Sequence, residues 1–312
     1  MKFKNWDNFL IHCSGIQPIL TVPKGIKALS DKEMATLAAI KLKEEKTEKE
    51  EGIVLHLTKK MNTALDPPLS RTAISYLTRR YGWEKYAKKT ASKGIGIPYR
   101  EKGNILEADA ISLLSQLDKV KYEKNDSIKA NDFLLGKPDI VVPGVTILDV
   151  KVSWNLQTFL SVLNSPLKAL YWFQMQGYLE LYDLPTGYVC FCLLDTPEEL
   201  IERERVKLLN KYVIGETNQE DFERNNESLD LSLTYTNIPL KRRVIRFKVD
   251  RSPEVIGRVH KKVIKCRAWL NEFEKIHILG RQIIILPEQY VNQQENSTKS
   301  DPDEPRQNDE GG

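Results

Sequence analysis

The stretch Asp132-Phe-Leu-Leu-Gly-Lys-Pro-Asp139-Ile-Val-Val-Pro-Gly-Val-Thr-Ile-Leu-Asp149-Val-Lys151-Val-Ser-Trp154 carries two apolar runs on either side of Pro143-Gly144. Pro-Gly between β-like runs is a turn signal. A three-residue hairpin loop at Pro143, Gly144 and Val145 pairs residue 142 with 146, and counting outward sets Asp139 opposite Asp149. Directly opposed residues hold their Cβ atoms roughly 4.5–5.5 Å apart, so two carboxylates converge on one point. Period-2 alternation then fixes the faces. Asp139, Asp149 and Lys151 share one face, while Ile140, Val142, Leu148, Val150 and Val152 form an apolar surface on the other.

Two carboxylates that close repel each other unless a cation lies between them. Mg²⁺, which takes oxygen ligands and keeps several waters, suits such a pair. Lys151, two residues on, falls beside the bound water or a phosphate. Asp-x-Lys triplets are frequent by chance, and Glu44-Glu-Lys46 is a similar one inside a charge run. The triplet at Asp149 differs in context: it sits on a strand, an acid faces it across a turn, and both acids lie in apolar runs where an unpartnered charge is costly.

Glu107 opens the helical stretch Glu107-Ala-Asp-Ala-Ile-Ser-Leu-Leu, with Ala110, Ile111 and Leu114 at i+3, i+4 and i+7. Its carboxylate therefore lies on the apolar stripe. An acid favoured by the helix dipole at an N-terminus accounts for it equally well. Ser165-Pro166 reads as an N-cap and first-turn pair opening a helix that places Gln174 and Tyr178 on one face. A tyrosine at such a position is more often core or rim than active site.

Elsewhere, 32–51 reads as one charged helix, 68–92 as one or two more, and 197–212 as a helix with Pro197 at its first turn. The polar stretch 215–230 reads as a loop, Lys241–Asp250 as a strand and 252–277 as a helix. There are no internal repeats. The expected organisation is a helical, basic region over 1–100, an α/β core over 101–290, and an acidic, disordered tail over 291–312.

The composition, 41% apolar and 29% charged over 312 residues, is that of an ordinary globular protein. No apolar run reaches the roughly 18–20 residues that cross a bilayer, and the start lacks a signal-peptide pattern, so a cytoplasmic protein without a membrane is expected. Cys13, Cys190, Cys192 and Cys266 fit a reducing compartment. Cys190 and Cys192 are two apart in a β-like run and read as core filler, with no C-x-x-C pair to suggest zinc or an iron–sulfur cluster. The net charge is +4 but uneven: 57–102 holds eleven bases against three acids, while 291–312 holds six acids against two bases. A concentrated basic stretch suits a polyanion, although charge alone decides little.

Taken together, Gly103-x3-Glu107, Gly136-x-Pro-Asp139, Asp149-x-Lys151 and Gln174-x3-Tyr178 resemble the PD-(D/E)XK nuclease superfamily. Their order and spacing are most similar to the RecB-like branch and to phage lambda exonuclease and YqaJ-like viral recombinases. The resemblance covers about residues 100–195, with a vaguer likeness in Phe9-Leu-Ile-His-Cys-Ser. Asp149 stands where Glu is commoner, and the four cysteines of the iron–sulfur RecB-like enzymes are lacking.

The resemblance implies a restriction-endonuclease-like α/β core, a mixed sheet flanked by helices, with a helical N-terminal extension. It implies Glu107 as the first-helix acid, Asp139 and Asp149 as the metal-binding pair, and the Val150 carbonyl as a further ligand of Mg²⁺ or Mn²⁺. Lys151 would orient the attacking water, and Gln174 and Tyr178 would support the site or touch DNA. The implied activity is 5′→3′ exonuclease digestion of linear double-stranded DNA ends in phage-type recombination, in the cytoplasm of a bacterial host. A single-strand annealing protein and a homo-oligomeric ring are implied by analogy as partners. A structure-specific endonuclease and a catalytically dead nucleic-acid-binding module stay open as alternatives.

Overall fold

A computed structural model describes residues 5–87 and 98–278. The expected tail over 291–312 lies outside these residues, as does part of the basic stretch. The chain opens with β1 (Ile11–His12) and a helical series: α1 (Ile16–Leu20), α2 (Asp31–Lys41), α3 (Glu48–Leu65), α4 (Arg71–Tyr86) and α5 (Pro98–Ile105). The core follows as α6 (Glu107–Asp118), β2 (Lys129–Ala130), β3 (Leu134–Gly136), β4 (Ile140–Val142), β5 (Thr146–Val152), α7 (Leu156–Ser161), α8 (Ala169–Tyr182) and β6 (Thr186–Cys192). It closes with α9 (Glu198–Val213), α10 (Gln219–Leu233), β7 (Val244–Asp250) and α11 (Pro253–Ile278). This is the expected α/β architecture with a helical N-terminal region.

The main sheet has the order β4-β5-β6-β7, and only its central β5–β6 pair is parallel. A small second sheet, β1-β3-β2, lies beside it. The hairpin register matches the sequence reading: Val142 pairs with Thr146 and Ile140 with Leu148. Gly144 supplies the turn with a φ of 70°, where a side chain would be strained.

Each sheet face buries its own cluster. Ile140, Leu148, Val150, Cys190 and Cys192 pack with Ala110, Ile111 and Leu114 of α6. Ile147, Val189 and Phe191, on the opposite face, pack with Met175 and Leu179 of α8 and with α1, α4 and α11. The cysteines are thus buried free thiols. Among the described residues no helix is long and apolar enough to cross a membrane.

Three expected elements differ. The charged helix over 32–51 is broken into α2 and α3, because Thr47 and Glu50 form a second capping box after that of Ser30 and Glu33. The expected loop over 215–230 is mostly helix: Asn218 caps α10 by accepting from Asp221 N–H, and Gly215, at φ 78°, makes the turn from α9. The helix expected from Ser165-Pro166 starts later, at Ala169, leaving 165–168 irregular.

Candidate active site

Asp139 stands just before β4, and its Oδ2 accepts the Val150 N–H of β5 at 2.6 Å. That bond fixes the acid against the strand that carries Asp149. The Asp149 side chain is 3% exposed and the Lys151 side chain 24%, with Lys151 Nζ 2.6 Å from Asp149 Oδ2 and 3.2 Å from the Val150 carbonyl oxygen. Asp149 Oδ2 has no well-aligned hydrogen bond despite that contact.

Burial pushes the Asp139 carboxyl above the usual range and Asp149 adds to the rise, which Lys151 and the Val150 N–H only partly offset. Burial alone would lower the Lys151 pKa, but Asp149 and Asp139 outweigh it and hold the ammonium above its ordinary value. Tyr171, whose ring centroid is 5.6 Å from Lys151 Nζ, closes that side of the cation.

The loop bearing Asp139 is held at two more points. Asn125 donates from its backbone to the Asp139 carbonyl at 2.8 Å and from Nδ2 to the Pro138 carbonyl at 2.9 Å. Tyr178 Oη donates to the Lys137 carbonyl at 3.3 Å and accepts from Gln174 Nε2 at 2.7 Å. Tyr178 is buried and its pKa is raised by burial. Gln174 and Tyr178 therefore act behind the loop, and neither lines the cleft. Gly136 is needed for the approach: a Cβ there would lie 2.6 Å from Cys13 Sγ and 2.8 Å from the Tyr178 ring.

Glu107 begins α6 and faces the cleft, yet its Oε2 pairs with Lys124 Nζ at 2.8 Å. Asp139, Asp149, Val150 and Lys151 are brought together, whereas Glu107 is turned to its own lysine. Among the described residues no three His, Cys, Asp or Glu side chains are gathered to hold a metal. The donor chemistry still suits a hard cation, with two facing carboxylates and the Val150 carbonyl. The raised Asp139 carboxyl is what a bound cation would relieve.

Glu107, Asp139, Val150 and Lys151 line a cleft of about 840 Å³, walled further by α5 through Tyr99 and Arg100 and by Trp154, Lys168 and Tyr171, while Asp149 is buried beside them. Several described bases of the stretch 57–102 are engaged within the fold. Lys60 pairs with Glu33, Arg80 with Glu84 and Lys85 with Glu274, Lys102 is buried, and among the described bases of the stretch Arg100 lines the cleft wall. Lys102, Lys124, Asn125 and Tyr171 were not singled out in the sequence. Only Asn125, two residues before Ser127 with turn-type spacing, left a local signal there.

No protein-family model matches the sequence, and no curated protein matches it. Among solved structures, a phage-related exonuclease from Haemophilus somnus 129PT is similar over 85% of this chain and 95% of its own, with a TM-score of 0.56 and 23% identity. The chain has a phage-exonuclease fold. An alkaline exonuclease from Laribacter hongkongensis is more distant, at 9% identity and a TM-score of 0.48 over 94% of this chain and 98% of its own. The lambda-exonuclease-like resemblance read from the four short motifs is thereby borne out for the fold. On this exonuclease fold, the cleft just described lies at the hairpin that those motifs mark.

Proposed function

We propose that this chain is a metal-dependent DNA exonuclease that hydrolyses linear double-stranded DNA from its ends, in the 5′→3′ direction, within phage-type recombination. The observation that carries the reading is the pair of acids at the open end of the β4–β5 hairpin, Asp139 accepting the Val150 N–H and Asp149 with Lys151 Nζ at 2.6 Å. The name of the similar structure, a phage-related exonuclease, supports a nuclease of that kind.

Asp139, Asp149 and the Val150 carbonyl would hold Mg²⁺ or Mn²⁺, with Glu107 joining once it leaves Lys124. A bound divalent ion supplies an activated water and neutralises charge on the phosphate and on the leaving 3′-oxygen. Lys151, kept protonated by Asp149 and Asp139, offsets negative charge growing on the phosphoryl oxygens and orients the water through Nζ. The Val150 N–H holds Asp139 in one rotamer, so its free oxygen stays aimed at the cleft. Arg100 and Lys168 on the walls attract the DNA backbone without reading its sequence. A single-strand annealing protein and a homo-oligomeric ring complete the proposal as partners, in a bacterial cytoplasm.

The test is digestion of a 5′-phosphorylated linear duplex beside a closed circle, with Mg²⁺, Mn²⁺ or chelator. The expected result is loss of the linear DNA alone, dependent on metal and abolished in Lys151→Ala. Cutting of the circle would favour an endonuclease. An intact linear substrate with retained binding would favour a binding module and overturn the proposal.

A further inference from the structure

Lys102 is fully buried, yet the chemistry above does not use it. It lies in α5 between Glu101, which pairs with Arg203 of α9 at 2.6 Å, and Gly103 on the cleft wall. Its Nζ donates to the Trp154 carbonyl at 2.8 Å. It also lies 5.8 Å from the Trp154 ring centroid and 5.5 Å from that of Tyr235. Asp195 is the acid whose field reaches it, and this only partly counters burial, which lowers the Lys102 pKa to about 8.

For stability alone, such a lysine is a poor choice. An ammonium loses its hydration on burial, and an unbranched apolar side chain of the same length fills that space at less cost. What the lysine alone provides is a donor aimed at one particular carbonyl. That carbonyl belongs to Trp154, three residues after Lys151 and just past the end of β5. On the other side, α5 leads through Leu106 directly into α6, whose first residue is Glu107. The bond therefore ties α5, which runs into the helix that carries Glu107, to the chain just past the strand that carries Asp149 and Lys151. α6 also packs on β5 through Ala110, Ile111 and Leu114 against Leu148 and Val150, but those contacts begin a turn beyond Glu107, whose own side chain pairs with Lys124.

We infer that Lys102 is a positioning residue of the candidate nuclease site, whose hydrogen bond to the Trp154 carbonyl sets the separation of Glu107 from Asp149 and Lys151. The inference rests on the proposed nuclease reading and adds to it a residue remote from the reacting atoms. Small misplacements of catalytic groups cost rates of the order of 10- to 100-fold. Loss of this bond is expected to act on turnover and to leave substrate capture by the cleft walls in place.

The experiment compares wild type, Lys102→Met, Glu107→Gln and the double variant in metal-dependent digestion of linear duplex, with KM, kcat and thermal unfolding for each. Wild type must first cleave; an inactive wild type removes the nuclease reading and this inference with it. Given an active wild type, Lys102→Met is expected to keep its melting temperature and KM while kcat falls roughly 10- to 100-fold. In the double variant the loss should be no greater than in Glu107→Gln alone, because both changes disable the same group. A Lys102→Met protein with wild-type kcat, or losses that multiply in the double variant, overturns the inference while leaving the nuclease reading intact. A Lys102→Met protein that does not fold also overturns it, since the lysine would then be holding the fold rather than the site.

Discussion

Replacing Gly136 by alanine adds a single methyl group at the point where β3, α8 and the turn before α1 come closest. That methyl would lie 2.6 Å from Cys13 Sγ and 2.8 Å from Tyr178 Cε1, well inside contact distance. Neither neighbour is a flexible chain end. Cys13 and Tyr178 are both buried, and Tyr178 is tied to Gln174 and the Lys137 carbonyl. Overpacking of this kind costs about 1–3 kcal/mol. At roughly 2–4 °C per kcal/mol for a large domain, the melting temperature should fall by several degrees. The same push moves Tyr178 off the Lys137 carbonyl, two residues before Asp139, so cleavage should slow as well. Cys13→Ala in the Gly136→Ala background removes the shorter contact. The two changes should then couple favourably by more than about 0.5 kcal/mol in a double-mutant cycle. Calorimetry on the four proteins, with digestion rates alongside, makes the measurement. A Gly136→Ala protein that melts and cleaves like wild type refutes the packing argument.

Two further outcomes follow from the site. Mg²⁺ or Mn²⁺ should stabilise the wild type against thermal unfolding, by about 2.7 kcal/mol at a hundredfold excess over Kd. Asp139→Asn combined with Asp149→Asn should abolish that increment, and an undiminished increment in the double variant would place the metal elsewhere. Lys102 should also leave a signature in stability against pH. The unfolded lysine keeps its proton up to about 10.5 while the folded one releases it near 8, so between these values the unfolded state binds more protons and stability rises with pH. Chemical denaturation across that window should show the rise in wild type and a flatter curve in Lys102→Met; parallel curves would contradict the burial of the charge.

The hairpin was legible because everything it needs is local. Pro143-Gly144 marks the turn, and strict alternation assigns each side chain to a face, so the opposition of Asp139 and Asp149 follows from counting. The α6 stripe and the burial of Cys190 and Cys192 were legible for the same reason. Local signals also existed where the reading went astray. Thr47-x-x-Glu50 announces a second helix start inside the charged run 32–51, and Asn218 followed by acids announces α10, whose polar composition masks its apolar positions.

By itself, then, the chain determined the β4–β5 register, the class of fold and the meeting of Asp139 and Asp149 at one end of the hairpin, since period and turn chemistry act over a few residues. Tertiary structure alone decided that Glu107 turns to Lys124, that Tyr178 grips the Lys137 carbonyl, and that one lysine of a basic run is buried against Trp154. Those contacts join residues 17, 41 and 52 positions apart. They depend on how α5, α6 and α8 dock on the sheet, where hydrophobic burial sets the placement and polar groups take the partners left within reach.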